Sequence, residues 1–410
     1  MKMHLDAQFT VPFRYRVYFT RDVFARDNAL LASAVSGTIP GQPSRLFFIV
    51  DDGVSKAHPG LCAAIEEYCR GHRADVSLAG PVLVVPGGES IKNDPSAVTR
   101  LLQAIHDAAL CRHSYVAAVG GGAVLDVAGY AASTVHRGVR LIRLPSTVLS
   151  QDDSAVGVKN GVNAFGQKNY LGTFAPPHAV INDFNLLTTL SDRDWRGGLS
   201  EAVKAALIRD APFFEFIESR AAALIGRDMS AMEAVIRRSA ELHLQHITTG
   251  GDPFETGSSR PLDFGHWSAH KLERLSSHRL RHGQAVSIGI ALDSTYSQLA
   301  GWLPEAQWRR IITLLQDLEL PVFTPEMGRH LDDEEHAACV LRGLDEFREH
   351  LGGRLTIMLL RGIGQPFDGH EIDRELVARS IAVLKTLQDK RPVSESNHEH
   401  PIPIERQGAR

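Results

Sequence analysis

Four short apolar runs separated by helix-length stretches restrict the fold of this chain more than any other feature. RLFFIV at 45–50 ends at Asp51, VLVVPGG covers 82–88, YVAAVGGG covers 115–122 and LIRLPST begins at 141. Runs this short, rich in β-branched residues and without polar alternation, suit strands buried on both faces. Between them, HPGLCAAIEEYCRG and PSAVTRLLQAIHDAALC have helical periodicity and the length of crossover helices. Strand and helix therefore alternate as in a doubly wound α/β domain with a parallel sheet. From about Asn185 the rhythm changes to long helical segments, among them EAVKAALIRDAPFFEFIESRAAALIG, GHWSAHKLERL and GQAVSIGIALDSTYSQLAGW. They predict an all-α second domain. With 410 residues the chain exceeds one compact core, and the two rhythms divide it into an α/β domain at 1–184 and a helical domain at 185–390. The polar, proline-rich tail at 391–410 reads as disordered.

Charge and cysteine usage narrow the function. A net charge of −4 without a basic stripe argues against nucleic acid and anionic membrane as partners, while leaving room for a small anion held by local cations. Cys62, Cys69, Cys111 and Cys339 are scattered, with no CxxC pair, which suits a reduced cytoplasmic protein rather than a disulfide framework or a thiolate zinc site. The amino-terminal residues lack the apolar core of a signal peptide, and no apolar run is long enough to span a membrane.

Two groups of residues carry chemistry. Gly120, Gly121 and Gly122 follow a strand and precede the helical run AVLDVAGYAAS. Glycines at such a turn let the backbone approach a pyrophosphate, and the helix amino terminus offers free N–H groups. The triplet lacks the spacing of the dinucleotide fingerprint, so a tight turn explains it equally well. Asp51 at a strand end is the kind of group that binds a ribose hydroxyl, and Glu89 and Lys92 follow another strand end. In the helical half, His266 and His270 share a helix face, and His282 begins the next helical run. With Glu201 of GGLSEAVKAALI, and Lys204 three residues on, these residues offer imidazole and carboxylate donors for zinc, although a histidine pair at this spacing is also common in plain structure. A nicotinamide and a metal in one cleft between two domains imply redox chemistry at a hydroxyl-bearing carbon.

The ordered motifs GGGAVLDVAGYAASTVHRG, LPSTVLSQDDSAVGVKNGVN, QKNYLGTF, LSEAVKAALI, LDFGHWSAH and HGQAVSIGI resemble those of 3-dehydroquinate synthase and its sugar-phosphate cyclase relatives. The resemblance spans roughly residues 45–365. It implies an amino-terminal NAD-binding domain, a helical metal-binding domain, a homodimer and one divalent ion, zinc or cobalt. By motif, Glu201, His266 and His282 would hold the metal, with His270 behind them. Asp51, Glu89, Lys92, Gly121, Gly122, Ser146 and Thr147 would serve the cofactor. Asp153, Lys159, Lys168, Asn169 and Lys204 match substrate positions, and Arg137 matches an arginine lent to the neighbouring active site. The implied reaction is transient oxidation of a heptulose phosphate by NAD, β-elimination of phosphate, re-reduction, and ring opening followed by aldol closure.

The chain departs from 3-dehydroquinate synthase proper at four places. Asp263 replaces an asparagine of the LNxGH motif, and Ser259 stands where an arginine is expected, with Arg260 one residue later. The basic residue expected within ELHLQHI is missing, with Gln245 nearest in alignment and His243 and His246 flanking it. Near the end of the fold, Arg348 and His350 replace a lysine pair. These positions would recognise a substrate carboxylate, so the departures resemble cyclases acting on sedoheptulose 7-phosphate to give valiolone-type cyclitols. The alternative substrate is 3-deoxy-arabino-heptulosonate 7-phosphate. A metal-dependent alcohol dehydrogenase of the same architecture is disfavoured by the lysines in PSTVLSQDDSAVGVKNGVN, and a non-catalytic scaffold by the intact Glu201, His266 and His282.

Overall fold

A computed structural model describes residues 4–37, 39–255, 257 and 259–389, so the tail at 391–410 lies outside the described residues. Strands β1 (Arg16–Thr20), β2 (Ser44–Asp51), β3 (Val76–Leu78), β4 (Leu83–Val85), β5 (Tyr115–Gly120), β6 (Arg140–Pro145) and β9 (Ala179–Asp183) form one sheet. Its order is β1-β9-β6-β5-β2-β3, with β4 also on β2, and every pairing is parallel. The central strands β2 and β5 are buried almost throughout, as their uninterrupted apolar sequences require. Helices α1 (Leu30–Val35), α2 (Asp52–Ala57), α3 (Leu61–Gly71), α4 (Pro95–Asp107) and α5 (Gly122–Thr134) make the connections. From β2 the chain moves one way to β3 and β4, then crosses to β5 and continues the other way to β6 and β9. The reversal opens a crevice at the carboxyl ends of β2 and β5, the place where ligands of such sheets bind.

Between β6 and β9 lies an antiparallel hairpin, β7 (Lys159–Ala164) and β8 (Gln167–Phe174). The approach to it is fixed by Arg143, which is fully buried in β6. The Arg143 guanidinium donates to the carbonyl oxygens of Ala155, Gly157 and Lys159 at 2.6–2.9 Å and to Oδ1 of Asn160 at 2.6 Å. Tyr15 adds a hydrogen bond to the Val156 carbonyl at 2.8 Å.

The second half is helical, as expected: α6 (Asp192–Gly197), α7 (Leu199–Arg209), α8 (Ala211–Ile225), α9 (Met229–Thr249), α10 (His266–Leu275), α11 (His282–Leu299), α12 (Glu305–Asp317), α13 (Arg342–His350) and α14 (Arg374–Asp389). One expectation needs correcting, because the half is not all-α: β10 (Ile357–Gly362) and β11 (Gln365–Gly369) pair as a hairpin. The long segment beginning at Glu201 is also two helices, because Asp210 ends α7 and caps α8 by accepting from the Phe213 N–H at 3.0 Å. α11 runs through the centre and is buried at nearly every position. Two close backbone approaches set its place. A Cβ on Gly289 would lie 1.9 Å from the Gly265 carbonyl oxygen, and one on Gly283 would lie 2.0 Å from that of Gly197. Only hydrogen fits at these crossings.

Arg143→Met would leave the carbonyl oxygens of Ala155, Gly157 and Lys159 without their donor. Each that stays buried and unsatisfied costs about 1–3 kcal/mol. The variant is expected to unfold at markedly lower denaturant than wild type in an equilibrium titration.

Candidate active site

The crevice gathers groups suited to a nucleotide. Asp51 at the end of β2 is buried and caps α2, its Oδ1 accepting from the Gly53 N–H at 2.8 Å. Burial raises its pKa, while hydrogen bonds from Gly53, Gly121 and Val54 oppose that shift. Gly87 and Gly120 must lack side chains here, because a Cβ on either would lie within 3 Å of Asp51 atoms. Gly121 caps α5 without any side-chain hydrogen bond, so the helix amino terminus stays free for an anion. Ser146, whose N–H donates to the Gly120 carbonyl at 3.0 Å, has a buried hydroxyl with no hydrogen-bond partner, and so does Ser154, 2.8 Å from where a Gly122 Cβ would sit. Orphaned hydroxyls beside an uncapped helix amino terminus fit a pyrophosphate-bearing cofactor. Thr147 instead bonds Ser150 Oγ at 2.7 Å and bears on Gly121.

Glu89 and Lys92 tie this crevice to the hairpin. Glu89 accepts from Asn163 Nδ2 at 3.0 Å, and buried Lys92 bonds Asp126 at 2.8 Å and makes a short contact with Asn169 Oδ1. Asn169, a substrate candidate by motif, thus sits among cofactor candidates, at φ 54°.

The histidines and Glu201 converge. The donor atoms of Glu201, His266 and His282 all lie within 4.8 Å of one another. His282 Nε2 is 3.4 Å and His266 Nε2 3.8 Å from Glu201 Oε1. Tetrahedral zinc with ligands at about 2.0–2.1 Å sets its donors about 3.3–3.5 Å apart, so these separations are near those of a zinc site. Both Glu201 oxygens are buried without a hydrogen-bond donor; Lys204 Nζ is 2.5 Å from Oε2 but outside hydrogen-bond geometry. Lys204 serves only Oε2, so Oε1, facing the two imidazole nitrogens, is the oxygen left to meet a further cation. The three residues fit a zinc or cobalt ion. Burial favours the neutral ring of His282, yet Glu273 and Glu201 outweigh it and lift the pKa to about 9, so the pocket favours positive charge at this point. His270 packs edge-on against His266 and parallel to His282, and burial drives its pKa well down.

The candidate substrate groups lie around this cluster. Burial opposes the charge of Lys204, but Asp153 at 3.9 Å and Glu201 overcome it and raise its pKa. Lys168 bonds both oxygens of Glu273 at 2.9 and 3.0 Å, and Lys159 makes a short contact with Glu255. Asp263 forms a turn before α10, 4.0 Å from Arg260, and its charge bears on Lys204 and His266. Arg260 Nη2 also donates to the Glu255 carbonyl at 3.2 Å, and exposed Ser259 bonds Asp368.

Other expected residues stand apart. Arg137 is exposed beyond the carboxyl end of α5, about 20 Å along that helix from the glycine turn, and does not reach the site of its own chain. Arg348 pairs with Asp345 on its own helix at 3.3 Å, and the His350 side chain lies outside the described residues. Gln245 is exposed on α9; the residue facing the site from that helix is His243, with Nδ1 3.0 Å from Asp153. Glu273 and Asp152 escape the sequence analysis altogether. Glu273 follows His266 and His270 on the same face of α10, a signal that spacing alone offers. Asp152 is fully buried with both oxygens unpartnered, and burial raises its pKa well above the usual carboxylate range.

Residues 82–197 match the family described as 3-dehydroquinate synthase N-terminal, and residues 198–340 match 3-dehydroquinate synthase C-terminal. A 3-dehydroquinate synthase of Cereibacter sphaeroides is 34% identical over 306 residues, covering 74% of this chain and 81% of that protein. The chain belongs to the 3-dehydroquinate synthase family. A 2-epi-5-epi-valiolone synthase of Streptomyces glaucescens is 37% identical over 313 residues, covering 76% of this chain and 77% of that protein. The solved structure of ValA, a 2-epi-5-epi-valiolone synthase from Streptomyces hygroscopicus subsp. jinggangensis with NAD+ and Zn2+ bound, matches with a TM-score of 0.82 at 28% identity. The match covers 93% of this chain and 100% of that one. The chain is thus an enzyme of the lyase class, a sugar-phosphate cyclase of this family, and the alcohol dehydrogenase and scaffold readings fall away. Among the described residues no helix is long and apolar enough to cross a membrane.

Asp293 anchors the start of α10, accepting from the Gly265 N–H at 3.0 Å and Trp267 Nε1 at 2.8 Å. Burial lifts its pKa from 3.8 to about 7 despite these bonds. The folded chain therefore keeps a proton that the unfolded chain releases, so the stability contributed is full at low pH and falls as pH rises through this window. Asp293→Asn cannot ionise and should lose this slope. Its thermal midpoint is expected to lie further below wild type at about pH 5 than at about pH 8. Equal differences at both would place the wild-type carboxylate in its charged form.

Proposed function

We propose that the chain converts sedoheptulose 7-phosphate into a valiolone-type cyclitol, using NAD and one zinc or cobalt ion, in a cytoplasmic homodimer. The observation that carries the substrate is Asp263, a carboxylate within the field of Lys204 and His266 whose nearest cation, Arg260, it already engages. A substrate carboxylate held about 6 Å away would be repelled by about 3 kcal/mol at an effective dielectric of about 20. A neutral hydroxymethyl head meets no such penalty. The 37% identity to a 2-epi-5-epi-valiolone synthase and the ValA fold support the same reading.

In this reading Glu201, His266 and His282 hold the metal, with His270 beside them. Asp51, Glu89, Lys92, Gly121, Gly122, Ser146 and Thr147 line the cofactor crevice. When bound, NAD would supply reversible hydride transfer and the metal would polarise the reacting hydroxyl oxygen. Lys204, kept cationic by Asp153 and Glu201, stabilises negative charge as it develops on that oxygen. Lys159 and Lys168, on the hairpin, and Arg137 from the neighbouring subunit take the phosphate, exchanging internal carboxylates for its oxygens. Asp153, steadied by His243 and Lys204, orients the substrate hydroxyls.

Purified, metal-loaded protein should release phosphate from sedoheptulose 7-phosphate and yield a carbocycle identifiable by NMR. Release from 3-deoxy-arabino-heptulosonate 7-phosphate alone would make the chain a 3-dehydroquinate synthase proper. Asp263→Asn should shift the ratio of kcat/KM values toward the carboxylate-bearing substrate by about tenfold or more. Glu201→Ala and His282→Ala should each abolish phosphate release and bind zinc far more weakly. Full zinc content in either would assign the ligands elsewhere.

A further inference from the structure

Glu273 is buried on α10, and two groups converge on its carboxylate. Lys168 Nζ approaches from β8, 2.9 Å from Oε1 and 3.0 Å from Oε2, and His282 Nδ1 lies 3.3 Å from Oε2. The His282 ring thus stands between two carboxylates, with Nδ1 on Glu273 and Nε2 3.4 Å from Glu201 Oε1. A neutral imidazole has one N–H donor and one lone pair, and the acceptor at one nitrogen decides which is which. An ionised carboxylate only accepts. The Lys168 ammonium bonds both of its oxygens, so Glu273 meets the imidazole as an ion-paired carboxylate and accepts from it. In the neutral ring that metal binding requires, the hydrogen therefore belongs on Nδ1, and the Nε2 lone pair points toward Glu201 and His266.

We propose that Glu273 is a positioning residue that fixes the tautomer and ring orientation of His282 for metal binding, with Lys168 as the counter-ion that tempers its charge. The inference rests on Glu201, His266 and His282 being the metal ligands. Lys168 draws on both oxygens of Glu273 and so weakens its pull on the imidazole N–H. When a phosphate takes up Lys168, that pull is restored. Anion binding at the hairpin and metal binding at His282 then strengthen each other, and linkage makes the effect reciprocal. His270, Glu273 and His282 also form a second cluster of donor atoms within 4.8 Å. There, however, the Lys168 ammonium already fills the cation's place on Glu273, which favours the positioning role over a second metal.

The test measures zinc affinity of the metal-free protein by competition with a chromophoric chelator, and records the visible spectrum of the cobalt form. Glu273→Gln should bind zinc about 10- to 100-fold more weakly, as loss of a carboxylate behind a ligating histidine does, and should shift the cobalt bands. Glu273→Asp should recover part of the affinity. Lys168→Gln should bind zinc at least as tightly as wild type, the opposite direction to Glu273→Gln. Inorganic phosphate should tighten zinc binding in wild type and not in Lys168→Gln. Unchanged affinity and spectrum in Glu273→Gln, with zinc lost in Glu201→Ala, would overturn the inference and leave the ligand assignment standing. Zinc retained in Glu201→Ala would overturn the ligand assignment itself. Two zinc ions per wild-type chain, one of them lost in Glu273→Gln, would make Glu273 a ligand and overturn the positioning role. An equal loss in Lys168→Gln would assign the effect to the ion pair and overturn it as well.

Discussion

Arg143 has no exposed surface, and no carboxylate bonds its guanidinium; four oxygens from one short segment take its hydrogens instead. Burial lowers its pKa, with only the distant charge of Asp126 and Tyr15 in support. A guanidinium in such a place holds its segment because every carbonyl that moved away would leave part of the charge unsolvated. The segment lies between Asp153 and the hairpin that carries Lys159, Lys168 and Asn169. The sheet, through one residue of β6, therefore dictates where the chemically important loop begins and how the hairpin leaves it.

Beyond that support, cations and carboxylates are paired through the site. Lys92 joins Asp126, Lys159 joins Glu255 and Lys168 joins Glu273 across elements, and Lys204 joins Glu201 one turn earlier on α7. Burying Lys92, Lys168 and Lys204 is tolerable only because each has its partner. If Lys159 and Lys168 take the substrate phosphate as proposed, the phosphate would replace carboxylates there, and binding would be an exchange of partners whose net free energy is far smaller than the sum of its contacts. Such exchange would suit an enzyme that must release the phosphate it has held.

The sheet was legible where strands are buried on both faces, with RLFFIV, YVAAVG and LIRLP falling on β2, β5 and β6, and VLVV marked β4 although Val84 there is exposed. The half-exposed edge strand RVYFT and the mostly exposed QKNYLGTF of β8 give no comparable pattern, since their partners rather than their hydrophobicity make them strands. The β10–β11 hairpin was hidden by the helices around it. At the site, residue type and spacing singled out Glu201, His266, His270 and His282, and the structure brings the donor atoms of Glu201, His266 and His282 within 4.8 Å of one another. His243 and Glu273 illustrate the remaining gap. A two-position ambiguity within ELHLQHI decides which side chain turns inward, and a glutamate on a helix reads as solvated until a neighbouring domain buries it.

The glycine crossings have a consequence for how such an enzyme diversifies. Gly283 lies against Gly197 and Gly289 against Gly265, so the starts of α7, α10 and α11 are held by main chain on main chain. The distances among Glu201, His266 and His282 are then set by backbone contact and are insensitive to which side chains pack nearby. Asp263, Arg260 and His243 border the same pocket from turns and faces outside those crossings. If Asp263 sets the substrate as proposed, substrate choice could drift by single substitutions there while the spacing of Glu201, His266 and His282 stayed fixed by the backbone, so the architecture would separate the part of the enzyme that can evolve from the part that cannot.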